Sequence, residues 1–371
     1  MSKINLYETF LDNSESQSVS NIIKSGWISS IGKNINIFAK KFSAYTKIKY
    51  CLPVINGTAA LHLAVKALNL KSGDKVLLPN FTYIACANVL AYEGLTPVFL
   101  DADLETFQIN LKDFKKKTLK NVKALMLVHL YGNIANIDKI LDHCKKKKIQ
   151  VIEDCSEAIG TFYNKKHAGN FGHVSSFSFY GNKTISTGEG GMFCTNNKKI
   201  FNRIKKISRQ GLGKINKEFD RYNHEVIGYN YRMTNICAGI GVEQIKKINV
   251  ILKKKKDIFN FYKKELKNLP IKFIGTENNV INSYWLVIIK LMDKNTRDKL
   301  QLYLQRKKIE TRRGFPMLSE FKMYKKFSNN KNNFKNALIL QNNSLCIPSH
   351  PRLDKKELLL VVNHIKKFYE N

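Results

Sequence analysis

The chain has 371 residues, of which 43% are hydrophobic and 25% are charged, and its formal net charge is +34. This length and hydrophobic content allow a large buried core, so the composition excludes an intrinsically disordered chain and fits a large domain followed by a smaller one. The first 18 residues are polar, and no segment approaches the roughly 18 consecutive apolar residues that span a bilayer, so we expect neither export nor membrane insertion.

The positive charge comes almost entirely from lysine, because the chain contains only nine arginines. Taken alone, such a charge favours a nucleic-acid or anionic-membrane partner. However, the lysines run in clusters such as "HCKKKKIQ" and "VILKKKKDIFNFYKK", within segments that are predicted to be the outer faces of helices. No nucleic-acid recognition motif accompanies them, so we expect solvated faces and no nucleic-acid partner. A nucleic-acid-binding protein is kept as a rival hypothesis.

The cysteines are odd in number, widely separated and free of any C-x-x-C pair. This pattern indicates neither a disulfide framework nor a zinc or redox motif. We therefore expect a protein of the reducing cytoplasm, without a bound metal. The seven cysteines are Cys51, Cys86, Cys144, Cys155, Cys194, Cys237 and Cys346.

From about residue 49 the sequence alternates short β-branched runs with helical patterns. This alternation predicts βαβ units, and hence an α/β fold with a parallel sheet and helices on both of its faces. Helices are predicted to begin near Gly57 and Thr82 and to cover 111–117 and 136–147. The predicted strands, in chain order, are "YCLPV", "KVLLP", "TPVFLD", "VKALMLVHLYG" and "IQVIED".

Two further strands, "SSFSF" and "GGMFCT", precede a basic helix and the segment "GYNYRMTNICAGIGVEQI", whose small residues permit close helix packing. A charged helix is predicted from Glu243 to about Asn268. We expect this helix to connect the large domain to a C-terminal region whose sequence pattern differs. That region contains a predicted strand, "INSYWLVIIKL", and a predicted helix, "TRDKLQLYLQRKKI". We therefore predict a large domain at 1–245 and a small one at 246–371.

The segment "SFSFYGNKTISTGEGGMF", residues 176–193, places one lysine between two predicted strands. In so lysine-rich a chain, Lys183 can be an ordinary surface residue. A phosphate-binding P-loop is excluded, because Asn182 stands directly before the lysine, where that motif requires glycine. The third interpretation is a Schiff-base lysine, which needs a strand end, little neighbouring charge and glycines that admit a flat cofactor. The segment supplies all of these.

Other residues fit a pyridoxal 5'-phosphate (PLP) site, and each has an ordinary structural alternative. Asp154 ends a buried strand, where it can cap the next helix or pair with the pyridine nitrogen of PLP. Gly57 and Thr58 stand at a helix start, where free amides bind phosphate, although similar caps occur in many proteins. Tyr83 of "NFTYIA" can stack on a flat ring or belong to the core.

In order along the chain, "NGTAAL", "FTYIA", "VHLYG", "IEDCSEAIG", "FSFYGNKTISTGEGG" and "GYNYRMTN" resemble the motifs of the DegT/DnrJ/EryC1/StrS sugar aminotransferases. The resemblance extends from "WISSIG" onward and is strongest between residues 50 and 245. It implies PLP as cofactor and the aspartate aminotransferase fold (type I). In that fold a large domain contains a mainly parallel seven-stranded sheet, and a small C-terminal α/β domain follows.

The resemblance also implies a role for each matching residue. Lys183 forms the Schiff base with the cofactor and moves the proton, and Asp154 pairs with the pyridine nitrogen. Glu157 lies near the phenolic oxygen and Tyr83 stacks on the ring. Trp27 to Ser30 match a loop near the sugar, although a packed Trp27 is an alternative. The residues that the resemblance places at the phosphate are Gly57, Thr58 and Ser178, with Asn230 reaching it from the partner subunit of a homodimer.

Within this family the motifs most resemble enzymes that transfer the amino group of L-glutamate to C4 of a GDP-linked 4-keto-6-deoxyhexose, GDP-4-keto-6-deoxymannose being favoured, for surface glycans such as the O-antigen of lipopolysaccharide. A UDP- or dTDP-linked 4-keto sugar, or a 3-keto sugar, is an alternative substrate. The dehydratase branch has histidine at the position of Lys183, which favours transamination here. A non-catalytic binding or regulatory protein of the same fold is a rival hypothesis.

One segment departs from the pattern of the relatives. "TRRGFPMLSEF" has Arg313 and Gly314 in an early region where relatives have proline, and Leu318 where histidine is common. The sequence therefore leaves the identity of the substrate open.

Overall fold

A computed structural model describes residues 3–118, 121–213, 222–328 and 334–370. The α-helices within these ranges are α1 (Asn13–Lys24), α2 (Lys33–Thr46), α3 (Gly57–Lys66), α4 (Ala85–Tyr92), α5 (Leu111–Lys117), α6 (Ile137–Lys147), α7 (Lys198–Ile207), α8 (Asn235–Lys246), α9 (Ile248–Glu265), α10 (Lys294–Arg306), α11 (Lys335–Asn343) and α12 (Lys355–Glu370). The β-strands within them are β1 (Tyr50–Val54), β2 (Lys75–Pro79), β3 (Thr96–Leu100), β4 (Val122–Val128), β5 (Gln150–Asp154), β6 (Phe162–Tyr163), β7 (Lys166–His167), β8 (Val174–Ser178), β9 (Gly191–Thr195), β10 (Lys272–Phe273), β11 (Val280–Ile281), β12 (Val287–Lys290), β13 (Arg312–Arg313) and β14 (Ser344–Ile347).

The central sheet has seven strands in the order β1-β9-β8-β5-β4-β2-β3. The neighbouring strands from β8 to β3 pair in parallel, whereas β9 pairs antiparallel with both β1 and β8. The predicted α/β fold with a mainly parallel seven-stranded sheet is therefore confirmed. This strand order brings the ends of β5 and β8 together, since Asp154 lies opposite Ser176 in the register.

Helices cover both faces of the central sheet because its strands are apolar on both sides. Along β2, Val76 and Leu78 belong to one buried hydrophobic cluster and Leu77 belongs to another. Continuous apolar runs of this kind are typical of parallel strands that are buried on both faces. The burial of both faces fixes the sheet in the middle of the molecule, so that ligands can reach it only at the ends of its strands.

A second sheet in the C-terminal part has the antiparallel order β10-β12-β14-β13. Helices α10 and α11 pack against β14, and α10 also contacts α12. A short third sheet joins β11 to β6 and β7. The division into domains at 1–245 and 246–371 stays a prediction, since one hydrophobic cluster runs from the central sheet into the second sheet.

The predicted single helix from Glu243 to about Asn268 is wrong, because two helices occupy this region. Helix α8 ends at Lys246 and α9 begins at Ile248, with Lys247 between them at φ −95° and ψ 0°. The Lys247 ammonium pairs with the Asp12 carboxylate at 2.9 Å and also contacts Glu15, which ties this junction to α1.

The close packing predicted for "GYNYRMTNICAGIGVEQI" is confirmed at α8. A Cβ atom added to Gly241 would lie 2.7 Å from the Phe38 ring of α2, nearer than real Cβ atoms approach their neighbours. Glycine is therefore required at this crossing of α8 and α2.

The described residues include no helix that is both long and apolar enough to span a bilayer. All seven cysteines are unpaired thiols, and most of them are buried. The Sγ atoms of Cys51 and Cys194, on adjacent strands, lie 3.4 Å apart without a bond between them.

Candidate active site

A cavity of about 510 Å³ lies at the carboxyl ends of β5 and β8, between the central sheet and the C-terminal part of the chain. Residues that follow β1, β5 and β8 form one wall, and residues near β12 and β13 form the other. Seven of the eight predicted cofactor residues line this cavity. They are Gly57, Thr58, Tyr83, Asp154, Glu157, Ser178 and Lys183.

Lys183 stands on the loop between β8 and β9, and only 13% of its side chain is exposed. Its Nζ lies 3.8 Å from Oε1 of Glu157 and 4.2 Å from the centroid of the Trp285 ring. Burial lowers the pKa of the Lys183 amine, and the Glu157 carboxylate opposes this shift. A lower pKa increases the fraction of neutral amine, which is the nucleophilic form. The interpretation of Lys183 as a solvated surface residue is therefore wrong.

Asp154 is the last residue of β5, and its carboxylate faces the cavity. The Ser156 amide donates to Oδ1 at 3.0 Å, and the Cys86 thiol lies 3.4 Å from Oδ2. A turn and then strand β6 follow Asp154, so the alternative that it caps a helix is wrong. The carboxylate accepts from this turn and is also placed to receive a cationic group from the cavity. Burial, together with the adjacent Asp154 charge, raises the pKa of the Cys86 thiol well above its ordinary value, so this thiol remains a donor.

Glu157 is buried at the inner end of the cavity. The Tyr131 amide donates to its Oε2 at 2.8 Å, which leaves Oε1 directed toward Lys183. Burial raises the pKa of Glu157 to about 7, and the nearby Lys183 ammonium opposes this rise. Near neutral pH the carboxyl group can therefore either donate a hydrogen bond to a ligand oxygen or accept one from it.

The start of α3 has the geometry of an anion cradle. Asn56 caps this ten-residue helix by accepting from the Ala59 amide at 2.8 Å. Because the helix begins at Gly57, the amides of Gly57 and Thr58 have no partner within it and lie beside the cavity. A Cβ on Gly57 would lie 2.6 Å from Cβ of Ser178, so only glycine leaves the space between the helix and the strand open.

These groups fit PLP by their chemistry. The cradle at Gly57, Thr58 and Ser178 offers N–H and O–H donors for a phosphate, Asp154 offers an acceptor for a protonated ring nitrogen, and Lys183 offers an amine for the aldehyde. Tyr83 lies at the rim with 60% of its surface exposed and its ring 6.3 Å from that of Phe315, so it is not a core aromatic. A flat ligand can therefore lie against its face.

Two groups of predicted residues lie outside this cavity. Asn230 is exposed, bridges to Arg209 and accepts a hydrogen bond from Arg232 at 3.3 Å. Trp27 is 59% exposed and lines a separate groove of about 920 Å³ beside α1, which contradicts the alternative that it is packed in the core. The ionisable residues of that groove are Lys33 and Glu243. It therefore offers no counterpart of the Lys183 and Asp154 arrangement.

Three residues of the opposite wall were missed from the sequence: Trp285, Arg312 and Phe315. The guanidinium carbon of Arg312 lies 5.3 Å from the Trp285 ring centroid and 5.7 Å from that of Phe315. Its Nη2 atom is buried and has no acceptor within the part of the chain that the structure describes. An arginine pressed against two aromatic rings after a strand of the small sheet has no local sequence motif, so only the folded chain reveals it.

The departures noted in "TRRGFPMLSEF" do not reach the cavity. Arg313 turns outward, donating to Gln301 at 2.9 Å and pairing with Asp298 at 3.0 Å. Leu318 is fully buried, and its amide donates to the Asn80 carbonyl. Among the described residues of this segment, Arg312 and Phe315 are the ones that line the site.

Residues 10–366 match the model of the DegT/DnrJ/EryC1/StrS aminotransferase family. A relative from Vibrio cholerae, GDP-perosamine synthase, is 39% identical over 371 residues and covers 99% of each chain. A GDP-perosamine synthase from Escherichia coli O157:H7 is also 39% identical, and the alignment covers both chains fully. Helicobacter pylori PseC, an aminotransferase involved in the biosynthesis of pseudoaminic acid, superposes over 100% of each chain with a TM-score of 0.93 at 23% identity.

Proposed function

The chain belongs to the DegT/DnrJ/EryC1/StrS aminotransferase family, whose members depend on PLP, and from this premise we propose that it aminates C4 of a GDP-linked 4-keto-6-deoxyhexose, with L-glutamate as the amino donor. GDP-4-keto-6-deoxymannose is the favoured acceptor, and the amino sugar would enter a surface glycan. The observation that carries the proposal is the single cavity that unites Lys183, Asp154 and Glu157. The full-length similarity to two relatives named GDP-perosamine synthase supports the choice of sugar.

The residues of the cavity would hold the cofactor at its two ends. The amides of Gly57 and Thr58 and the hydroxyl of Ser178 would bind its phosphate, and Asp154 would keep its ring nitrogen protonated. When bound, PLP supplies an electron-accepting ring that stabilises negative charge at the substrate carbon. The role of Tyr83 would be to cover one face of that ring.

Lys183 has two tasks in this proposal. Its Nζ would anchor the cofactor covalently and, once released, take the proton from the donor amino acid and later deliver one to the sugar carbon. A neutral amine is needed for both tasks, and burial lowers the pKa of Lys183 in this direction. Trp285 lies directly over Nζ and limits the access of water to it. Glu157 would bind the phenolic oxygen of the cofactor.

Asn230 is proposed to act on the cavity of a second copy of the chain. In its own subunit it lies outside the cavity, on the exposed segment that precedes α8. The resemblance implies that this residue reaches the phosphate bound in the partner subunit, and this role would require a homodimer with shared active sites. We further propose a cytoplasmic location, which the unpaired cysteine thiols support.

The nature of the substrate is tested by giving the PLP-loaded protein L-glutamate and a panel of nucleotide keto sugars. The panel contains GDP-, UDP- and dTDP-linked 4-keto-6-deoxy sugars and a 3-keto sugar, and mass spectrometry and NMR identify the products. We expect a 4-amino GDP-sugar, formed together with 2-oxoglutarate. If the protein aminates a UDP- or dTDP-linked sugar in preference to the GDP-linked one, the proposed substrate is wrong and the alternative substrate is the correct one. No amination of any sugar, and no change in the visible spectrum with glutamate, would favour the non-catalytic protein.

Arg312 is proposed to bind a carboxylate of the amino donor. Its Nη2 is buried without an acceptor among the described residues, and it shares the cavity with Lys183. Replacing it by glutamine removes a charge-assisted hydrogen bond, which is worth about 1.5–3 kcal/mol, so kcat/KM for glutamate should fall by roughly 10- to 100-fold. The transfer occurs in two half-reactions, so kcat/KM for the keto sugar should stay within about threefold of its native value.

The neighbouring Arg313 provides a matched control, because Arg313→Gln removes the same charge from a side chain that points to Gln301 and Asp298 at the surface. This variant should leave both half-reactions unchanged. If Arg312→Gln instead lowers kcat/KM for the keto sugar and leaves kcat/KM for glutamate unchanged, the arginine binds the nucleotide sugar and the carboxylate assignment is wrong.

A further inference from the structure

The loop that carries Lys183 is held by an unusual set of hydrogen bonds. Three successive backbone carbonyls, those of residues 181–183, each accept a hydrogen bond from a side chain that is distant in sequence. The first accepts from the Thr9 hydroxyl at 2.8 Å, the second from the Trp285 indole N–H at 2.7 Å, and the third from the Tyr7 hydroxyl. Every peptide around the lysine is therefore fixed from outside the loop.

Two of these donors belong to residues 4–9, which we call the N-terminal strap. The other end of the strap is attached to the C-terminal part of the chain. The Ile4 amide donates to the Lys308 carbonyl at 2.9 Å, and the Ser349 amide donates to the Leu6 carbonyl at 3.4 Å. The strap therefore links the C-terminal part of the chain directly to the loop of Lys183.

A buried lysine supports both the strap and Trp285, the donor that lies outside the strap. Lys255 of α9 is 1% exposed, and its ammonium donates to the Trp285 carbonyl at 2.9 Å. The same ammonium lies 5.4 Å from the centroid of the Tyr7 ring. Burial raises the pKa of the Tyr7 phenol, so the hydroxyl stays protonated and can only act as the donor toward the Lys183 carbonyl.

We propose that Tyr7 is a positioning residue for Lys183, and that with Thr9 and Trp285 it fixes the peptides of this loop so that Nζ keeps one place through both half-reactions. This proposal rests on the proposed function, because only a lysine that is bound to the cofactor and released from it in turn needs a backbone held in one place. A Cβ atom added to Gly181 would have no neighbouring heavy atom within 4 Å, so packing around that residue does not hold the loop. A displacement of about 1 Å at a reacting atom can reduce a rate by roughly 10²-fold.

The test removes one hydroxyl at a time. Tyr7→Phe deletes the donor to the Lys183 carbonyl. Tyr324→Phe is the matched control, because this buried hydroxyl donates to Oδ1 of Asn88 at 2.6 Å, away from both the lysine loop and the strap. With the PLP-loaded protein, Tyr7→Phe should lower kcat by about tenfold with little change in KM, since partial misplacement costs less than the roughly 10²-fold of a full ångström. Tyr324→Phe should retain native kcat even though it loses a comparable hydrogen bond.

A second measurement needs neither cofactor nor turnover. In the protein without PLP, the rate at which acetic anhydride labels Lys183 is followed against pH by peptide mass spectrometry. A loosened loop brings Nζ closer to water, so the labelling midpoint for Lys183 should rise toward the ordinary lysine value by about half a pH unit in Tyr7→Phe and stay unchanged in Tyr324→Phe. This readout judges the position of Lys183 even if the proposed reaction is wrong.

A kcat and a labelling midpoint in Tyr7→Phe that match those of Tyr324→Phe would overturn the proposal and leave the strap a purely stabilising element. If Tyr7→Phe does not fold, Thr9→Val takes its place, because it removes the donor to the Gly181 carbonyl with almost no change in volume. It should shift both readouts in the same direction. An unchanged kcat and midpoint in a folded Thr9→Val protein would overturn the proposal equally.

Discussion

A Lys183→Ala protein is expected to bind PLP and to lose turnover by at least about 10³-fold, because it lacks both the covalent anchor and the proton carrier. The phosphate cradle at Gly57 and the Asp154 carboxylate do not depend on the lysine side chain, so cofactor affinity should survive. Turnover of keto sugar with glutamate, and cofactor content after gel filtration, check the two halves of this expectation.

The Lys183→Arg variant tests whether a positive charge at this position is sufficient without a primary amine. Arginine keeps a cation beside Glu157 but cannot form a Schiff base, so this variant should be as inactive as Lys183→Ala. Added methylamine should restore part of the proton transfer in Lys183→Ala, whose cavity has space for a small base, and not in Lys183→Arg. Turnover within tenfold of native in either variant would contradict the role of Lys183.

An Asp154→Asn protein should lose about 100-fold in kcat with its fold intact, which is the scale of losing one positioned charge in an active site. Asparagine can still accept from the Ser156 amide, so the turn after β5 is preserved. It cannot provide the negative charge that would keep a ring nitrogen protonated. Steady-state kinetics and thermal unfolding, measured together, distinguish this loss from a loss of structure.

Asp142→Asn is the control for the change in net charge. Asp142 lies on the surface of α6, where it pairs with Lys146 at 2.8 Å, four residues along the helix. Exposed pairs of this kind contribute little to stability, so both kcat and the unfolding temperature should stay close to native. Near-normal activity in Asp154→Asn would refute the assignment of Asp154 to the pyridine nitrogen.

Local sequence patterns were sufficient for much of the fold. The apolar runs at β2 and β4 predicted strands because burial on both faces leaves little room for alternating polar residues. Helix boundaries were predicted less well: the helical stretch expected from Thr82 begins at Ala85, and the helix expected from 243 to 268 is broken at Lys247. The ion pair of Lys247 with Asp12 joins positions far apart in the sequence, which a local pattern cannot register.

Sequence patterns were enough to predict one wall of the cavity. Asp154 ends a strand, Gly57 begins a helix and Lys183 lies in the loop after β8, and the carboxyl ends of parallel strands converge at one edge of a sheet. Motif order along the chain was then enough to assign the family and the cofactor.

The other wall of the cavity and the support behind the lysine are visible only in the folded chain. Trp285, Arg312 and Tyr7 reach the cavity or its loop from segments more than 100 residues away from Lys183. The roles proposed for them depend on burial, since a guanidinium nitrogen without an acceptor or a tyrosine bonded to a carbonyl has little consequence on a solvated surface. Burial and long-range contact arise when the C-terminal sheet and the strap close over the central sheet, and no local pattern of residues encodes that closure.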